Sequence, residues 1–189
     1  MRILFMGKTP PEPGGSQKHI YEVAKRLSKD HEVFVVTQSG SACKGFCKCF
    51  EFPLPKKPQY LRSFLLLLYG ALYLLFNRRP YDIIHVHENQ LFFLIPLAKL
   101  SGAKVTATVH GCKGFRFYDN IFLRKIYFYF LGKAHTIISI SQQEKAILQN
   151  YFKREVLYIP NGADISKFKL TNVNITKNIV FFGRIHPQK

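Results

Sequence analysis

Two periods of apolar residues run along the chain. Ile3, Leu4, Phe5 and Met6 form a short continuous apolar run, which predicts a strand covered on both faces. The period then lengthens. Ile20, Val23, Ala24 and Leu27 recur at i, i+3, i+4 and i+7, while Lys18, Glu22, Lys25, Arg26 and Lys29 fill the opposite side. That spacing predicts an amphipathic helix with Ser16 as its N-cap. Glu32 to Thr37 returns to a strand pattern, so the first fifty residues read as a βαβ unit with parallel pairing. Gly40 to Lys48 reads as loop and Cys49 to Phe52 as a short strand, and Pro53, Pro55 and Pro58 hold off the next helix until after Gln59.

Tyr60 to Phe76 predicts a strongly apolar helix, with no charged residue from Phe64 to Phe76, Arg62 ahead of it and Arg78 and Arg79 behind it. Those thirteen residues extend about 20 Å as a helix, short of the roughly 30 Å of a bilayer core. Length therefore argues against a span and leaves two placements, on the sheet or in a membrane interface beside basic anchors. Further strands are expected at Tyr81 to His87, Lys104 to Val109, His135 to Ser141 and Glu155 to Ile159. Helices are expected from Gln90 to Leu100, closed by Gly102, from Asn120 to Leu131, capped by Asp119, and from Gln142 to Tyr151. The alternation predicts an α/β fold built on a doubly wound, Rossmann-like parallel sheet. Leu170 to Asn178 is polar, as a linker would be, and Ile179 to Phe182 begins another strand. Residues 1–170 are thus expected to form one domain, and 171–189 a linker with the first strand of a truncated second one.

Composition changes the picture mainly through charge. Of 189 residues, 28 are Lys or Arg and 11 are Asp or Glu, a formal charge of +17 with a pI near 9.9. Such an excess favours anionic partners: phosphorylated small molecules or an acidic lipid surface. Nucleic acid draws on the charge alone, since no recognised binding module accompanies it. Cys43, Cys47, Cys49 and Cys112 are unevenly placed, no secretory signal precedes them, and a reducing cytoplasm is the simplest expectation.

Several short motifs fall away on spacing. Gly7-Lys8-Thr9 ends like a P-loop but lacks the earlier glycine, and Gly14-Gly15 does not complete a dinucleotide G-x-G-x-x-G. The paired glycines instead let a ligand approach main-chain N–H groups at a helix N-terminus. His85 and His87 share one face of a strand with no third metal ligand evident nearby. The expectation is therefore one packed histidine, one lining a cleft, and no metal. His110 ends a strand, precedes Gly111 and is the strongest candidate for contact with a reacting centre.

Gly14-Gly15, His87-Glu88, Val109-His110-Gly111, Ile138 to Ser141, Pro160-Asn161-Gly162-Ala163-Asp164 with Phe168, and Gly183-Arg184 with Pro187 and Lys189 follow one another in an order that resembles the family 4 retaining glycosyltransferases of the GT-B fold. The resemblance covers essentially the whole chain, as the N-terminal half of that architecture. It implies transfer of a sugar, with retention, from a nucleotide-diphosphate sugar to a glycan or lipid-linked acceptor, with no further cofactor. It places Gly14 and Gly15 near acceptor and donor phosphate, His110 beside the transferred sugar as the catalytic contact, and His87 and Asn161 in the binding site. Arg184 and Lys189 correspond to the pair that grips the diphosphate. The family's second Rossmann-like domain supplies most of the nucleotide site, so the 189 residues alone are expected to be inactive. The alternative is a non-catalytic half that binds the acceptor or anchors to an anionic membrane and recruits a separate donor-binding chain. Either way, a peripheral position at the inner face of the membrane fits the charge.

Overall fold

Seven short strands pair side by side in the computed structural model, which describes residues 1–55, 57–77, 79–111 and 120–165. They are β1 (Arg2–Met6), β2 (Glu32–Gln38), β3 (Lys48–Phe52), β4 (Ile83–Val86), β5 (Lys104–Val109), β6 (Thr136–Ser139) and β7 (Leu157–Tyr158). Their order is β3-β2-β1-β4-β5-β6-β7 and every neighbouring pair is parallel. The chain winds outward from β1 to β3, then returns to the other side of β1 at β4. The winding reverses between β1 and β4, where an open parallel sheet offers a crevice beyond its carboxyl ends.

The continuous apolar runs are explained by what covers each face. Ile3, Phe5, Val33 and Val35 point to one side, where they meet Ile20 and Ala24 of α1 (Gly15–Leu27) and Cys43 of a 3-10 turn at Ala42–Gly45. Leu4, Met6, Phe34, Val36, Ile84, Val86, Val105 and Ala107 point to the other, into the larger core. That core is covered by α2 (Gln59–Phe76), a 3-10 segment at Asn89–Leu94, α3 (Ile95–Leu100), α4 (Ile121–Leu131) and α5 (Gln142–Phe152). The α/β class and its doubly wound parallel sheet thus stand as expected from the sequence, with one helix on one face and four on the other among the described residues.

Helix boundaries differ from expectation for identifiable reasons. Ser16 does not cap α1: Gly14 occupies the N-cap without a side-chain bond, and the Ser16 hydroxyl donates to Gln17 Oε1 at 3.0 Å. Gly14 has φ 152°, and a Cβ there would collide with the Gln17 side chain, so the turn excludes a side chain at the position a cap would use. The cap of α4 is Asn120, whose Oδ1 accepts from the N–H groups of Phe122 (2.9 Å) and Leu123 (3.1 Å). Asp119, the expected cap, lies outside the described residues. The helix expected from Gln90 to Leu100 breaks in two, because Pro96 has no N–H to bond back and is tolerated only in the first turn of α3. β7 pairs only two residues of the expected five-residue strand, at the sheet edge. The boundary at residue 170, the linker and the strand at Ile179 to Phe182 lie outside the described residues.

α2 divides its apolar residues between two surroundings. Leu66 is 1% exposed against the sheet, and Gly70 sits so close to the 3-10 segment that an added Cβ would lie 2.8 Å from Leu94 Cδ1. On the far side Phe64, Leu68, Leu72, Leu75 and Phe76 are exposed, Leu68 by 40% and Phe76 by 79%. Among the described residues no helix is long and apolar enough to cross a membrane. Leu66→Ala should destabilise the protein by about 2–5 kcal/mol through an unfilled cavity, whereas Leu68→Ala should cost roughly 0.5 kcal/mol or less. Urea unfolding of the two variants checks this; equal losses would mean that the helix does not present the face seen here.

Candidate active site

Parallel pairing carries two functional side chains, His87 and His110, to one edge of the sheet. β1 ends at Met6, and its successor Gly7 donates its N–H to Val36 O at 3.2 Å, which turns the chain toward α1. The intervening loop is tied down by a buried polar network: Thr9 N–H donates to Gln38 Oε1 (3.1 Å), Gln38 Nε2 donates to Thr9 O (2.6 Å), and the Thr9 and Ser41 hydroxyls lie 2.7 Å apart. Buried polar groups that are fully paired in this way hold a loop rigidly. The glycine loop therefore delivers the N-terminus of α1 to a fixed place. Nothing lies within 4 Å of a Cβ built on Gly15, so that end is open to a ligand.

Directly beyond β4 and β5 stand His87 and His110. The His87 N–H still donates to Met6 O at 3.1 Å, which seats it across from the end of β1. Its Nδ1 lies 3.1 Å from His110 Nε2, and the two rings stack at 5.4 Å. A third imidazole arrives from α1: His19, one turn after Gly15, has its ring 5.4 Å from His87 and 5.1 Å from His110. Asn161, after β7, stands beside His19, and its side chain favours the protonated ring. His85 joins the imidazoles from below, its ring 4.1 Å from that of His87 and its Nε2 2.8 Å from Thr108 Oγ1. Glu88 closes the floor, accepting from Gln17 Nε2 at 3.3 Å and pairing with Lys8 Nζ at 3.4 Å.

Burial decides the charge of this cluster. Desolvation, together with the neighbouring His19 and His110, lowers the His85 pKa from 6.5 to about 3. Desolvation and His19 bring His110 to about 4. His87, only 2% exposed, is held well below its usual value by burial and by the other three imidazoles, and burial lowers His19 against the raising effect of Asn161. All four are neutral at pH 7. Either tautomer of the His87–His110 bond uses one nitrogen of each ring; His87 Nε2 and His110 Nδ1 are buried and meet no protein partner among the described residues. A pair of neutral rings with spare nitrogens can donate to or accept from a hydroxyl, or hold a metal ion.

Of the residues expected in the site, Gly14, Gly15, His87, His110 and Asn161 are described; the last three meet through His19, one turn along α1 from the glycines. Arg184 and Lys189 lie outside the described residues. The pair His85 and His87 did not suggest a third imidazole nearby, yet His19, His87 and His110 have ring nitrogens all within 4.8 Å of one another. The apolar period of α1 carries no signal for His19, which sits beside the stripe of Ile20, Val23, Ala24 and Leu27. A histidine within the first turns of a helix that starts at a strand's carboxyl end was the available signal.

A reversing parallel sheet with a polar crevice at its switch point defines a Rossmann-like α/β protein, a class in which ligands sit beyond the carboxyl ends of the strands. The comparisons then place it more narrowly. Residues 13–167 match Glycosyltransferase Family 4, and the chain belongs to that family. No curated protein matches it by sequence. Its fold is similar to that of Anabaena Alr3699/HepE, solved with UDP and glucose, at TM-score 0.66 and 17% identity, covering 91% of this chain and 47% of that one. A glycosyltransferase from Rickettsia africae matches at 0.57 and 20% identity, covering 87% and 44%. The lipopolysaccharide outer core galactosyltransferase WaaB matches at 0.58 and 15%, covering 88% and 47%. The chain thus spans about half the length of these GT-B structures.

The depressed imidazole pKa values carry a sign. Unfolded histidines take up protons near pH 6.5, whereas folded His110 does so only near 4 and His85 near 3. Between those limits the unfolded chain binds more protons, so stability is fully present above about pH 6.5 and falls as the pH is lowered. Thermal unfolding from pH 7.5 to 4 should show Tm dropping through this window, with a shallower slope in His87→Gln. A Tm that stays level between pH 6.5 and 4.5 would contradict the burial of these rings.

Proposed function

We propose that this chain carries the acceptor-side part of a glycosyl-transfer site, in which a sugar moves with retention from a nucleotide-diphosphate donor to a glycan or lipid-linked acceptor. The observation that supports this most directly is the neutral His110, at the carboxyl end of β5 beside the crevice, in a chain of Glycosyltransferase Family 4. A neutral imidazole there orients a sugar hydroxyl by hydrogen bonding and needs no proton removed first. His87 holds the His110 ring from behind. Gly14 and Gly15 leave the positive end of α1 open to a phosphate or hydroxyl. Arg184 and Lys189 supply fixed cations for the negative charge that develops on the departing diphosphate, and the bond to the anomeric carbon is remade on the same face. Because HepE was solved with UDP and glucose, a UDP-sugar is the first donor to try.

The 189-residue chain labelled with 15N-histidine tests the site without requiring turnover. Addition of UDP-glucose or of short glycans should shift the ring resonances of His110 and His87, with His135 unmoved as an internal control. Sugar transfer by any active preparation containing the chain should fall about 100-fold or more in His110→Gln. Imidazole resonances that ignore every nucleotide sugar and glycan would overturn the reading.

The acceptor is proposed to be presented at an anionic membrane surface. Support comes from the exposed stripe on α2 and from Ile121, Phe122 and Tyr129 of α4, which with α2 flanks the same 3-10 segment, in a chain of charge +17. Apolar side chains among cations bind a lipid interface by burial and electrostatics together. Flotation with vesicles containing phosphatidylserine should recover the protein, less so as salt rises, and several-fold less in Leu68→Glu/Leu72→Glu. Equal recovery with neutral vesicles at every salt concentration would remove this part.

A further inference from the structure

We propose that the acceptor is joined to its lipid through a phosphate, and that a cavity between the histidine crevice and α2 seats that phosphate. The inference rests on the glycosyl-transfer reading and deepens it by naming the acceptor's linkage. The cavity, of about 530 Å3, is lined by Lys8, Lys57, Arg62, Ser63, Leu66 and Gln90. That volume falls within the roughly 300–1,000 Å3 of small-molecule sites, and each of its polar side chains can donate to an anionic oxygen.

Charge around the cavity suits an anion. Lys8 Nζ pairs with Glu88 Oε2 at 3.4 Å, and Arg62 pairs through Nη2 with Glu12. Each pair holds a long cation in place while using only part of its donor capacity. Arg62 Nε is buried and meets no partner among the described residues. A buried guanidinium N–H without an acceptor is costly, so Arg62 gains by turning that edge toward a phosphate oxygen in the cavity it lines. Lys57 stands exposed at the rim, with no carboxylate paired to it among the described residues. Three cations thus face two carboxylates, and the balance left over is positive.

The order of chemistry along the surface matches one class of amphiphile. Glu88 follows His87 in the chain, so the Lys8–Glu88 pair stands between the cavity and the imidazoles. On the other side, Tyr60 lies one helical turn from both Ser63 and Phe64, at i+3 and i+4, and links the cavity wall to the apolar stripe of α2. Tyr60 is 78% and Phe64 59% exposed. A hydroxyl to be glycosylated, a phosphate and a hydrocarbon chain would meet, in that order, the imidazoles, the cations and the stripe. A free glycan has no group for the cations or the stripe, and a neutral glycolipid has none for the cations. The acceptor class that fits all three is a sugar or polyol esterified through phosphate to a lipid.

The test titrates the 189-residue chain, labelled with 15N-arginine, with geranyl diphosphate below its micelle concentration, and separately with inorganic diphosphate and with geraniol. The Nε–H resonance of Arg62, assigned by its loss in Arg62→Lys, should shift with geranyl diphosphate at a concentration about tenfold lower than with inorganic diphosphate, because only the first buries a tail. Geraniol should leave it in place. Lys57→Gln, a change at an exposed position, should weaken both anions by about fivefold. Phe64→Gln, also exposed, should weaken geranyl diphosphate several-fold and leave inorganic diphosphate unchanged. An unmoved Arg62 resonance, inorganic diphosphate binding as tightly as geranyl diphosphate, or affinities unchanged in both variants would each overturn the proposal. No donor sugar takes part, so these outcomes stand apart from the response of the His110 and His87 rings to UDP-glucose, on which the glycosyl-transfer reading is judged.

Discussion

The parallel register of β1, β4 and β5 is the constraint on which the rest depends. Met6 pairs with Val86, and Val86 with Ala107, so β1 and β4 run out together and β5 continues two residues further, to Val109, at the same edge. Parallel strands buried on both faces must be apolar almost throughout, and polar chemistry is forced into the residues just beyond them. Gly7, His87 and His110 occupy those positions. One-residue slippage of β4 against β1 would turn His85 and His87 into the larger core and Ile84 and Val86 toward α1. The period of the strands thus fixes the site as firmly as any contact within it.

That logic explains what the sequence could and could not disclose. The strands were legible because a continuous apolar run has few other uses, and the order of βα units implied parallel pairing. Helix ends were less legible. Ser16 is a better cap than glycine by propensity, yet the backbone at position 14 and the close Gln17 side chain decide the turn. Pro96 was visible, but whether it would break a helix or start one depends on the 3-10 segment packed ahead of it. In the site, His110 and His87 were legible from their place at strand ends. His19 was not, nor was its meeting with Asn161, itself expected in the site, because the two come together only after α1 has folded back over the sheet.

Burying imidazoles is costly only if they are charged, and the cluster avoids that cost by staying neutral. Neutrality has a second effect: it ties the cluster to hydrogen-bond chemistry and removes it from general acid work at pH 7. A ring with a pKa of about 4 is a poor proton donor there and a competent acceptor. In the proposed transfer, the positive charge that a departing diphosphate requires would then come from elsewhere in the chain or its surroundings, and lysine and arginine outnumber acidic residues.

The same surplus bears on how α2 is placed. A helix that presents leucine and phenylalanine on two sides cannot bury both against one sheet, and the side carrying Leu66 and Gly70 has the tighter fit. The other side is not compensated by charged residues within the helix, since Arg62, near its start, is engaged by Glu12 and no acidic or basic residue follows before its end. An apolar stripe left open in a chain of charge +17 faces strong like-charge repulsion against a second copy of itself, whereas an acidic lipid surface relieves both the exposed area and the charge. The electrostatics therefore separate two otherwise similar ways of covering the helix, and of the two it is the proposed lipid surface that they support.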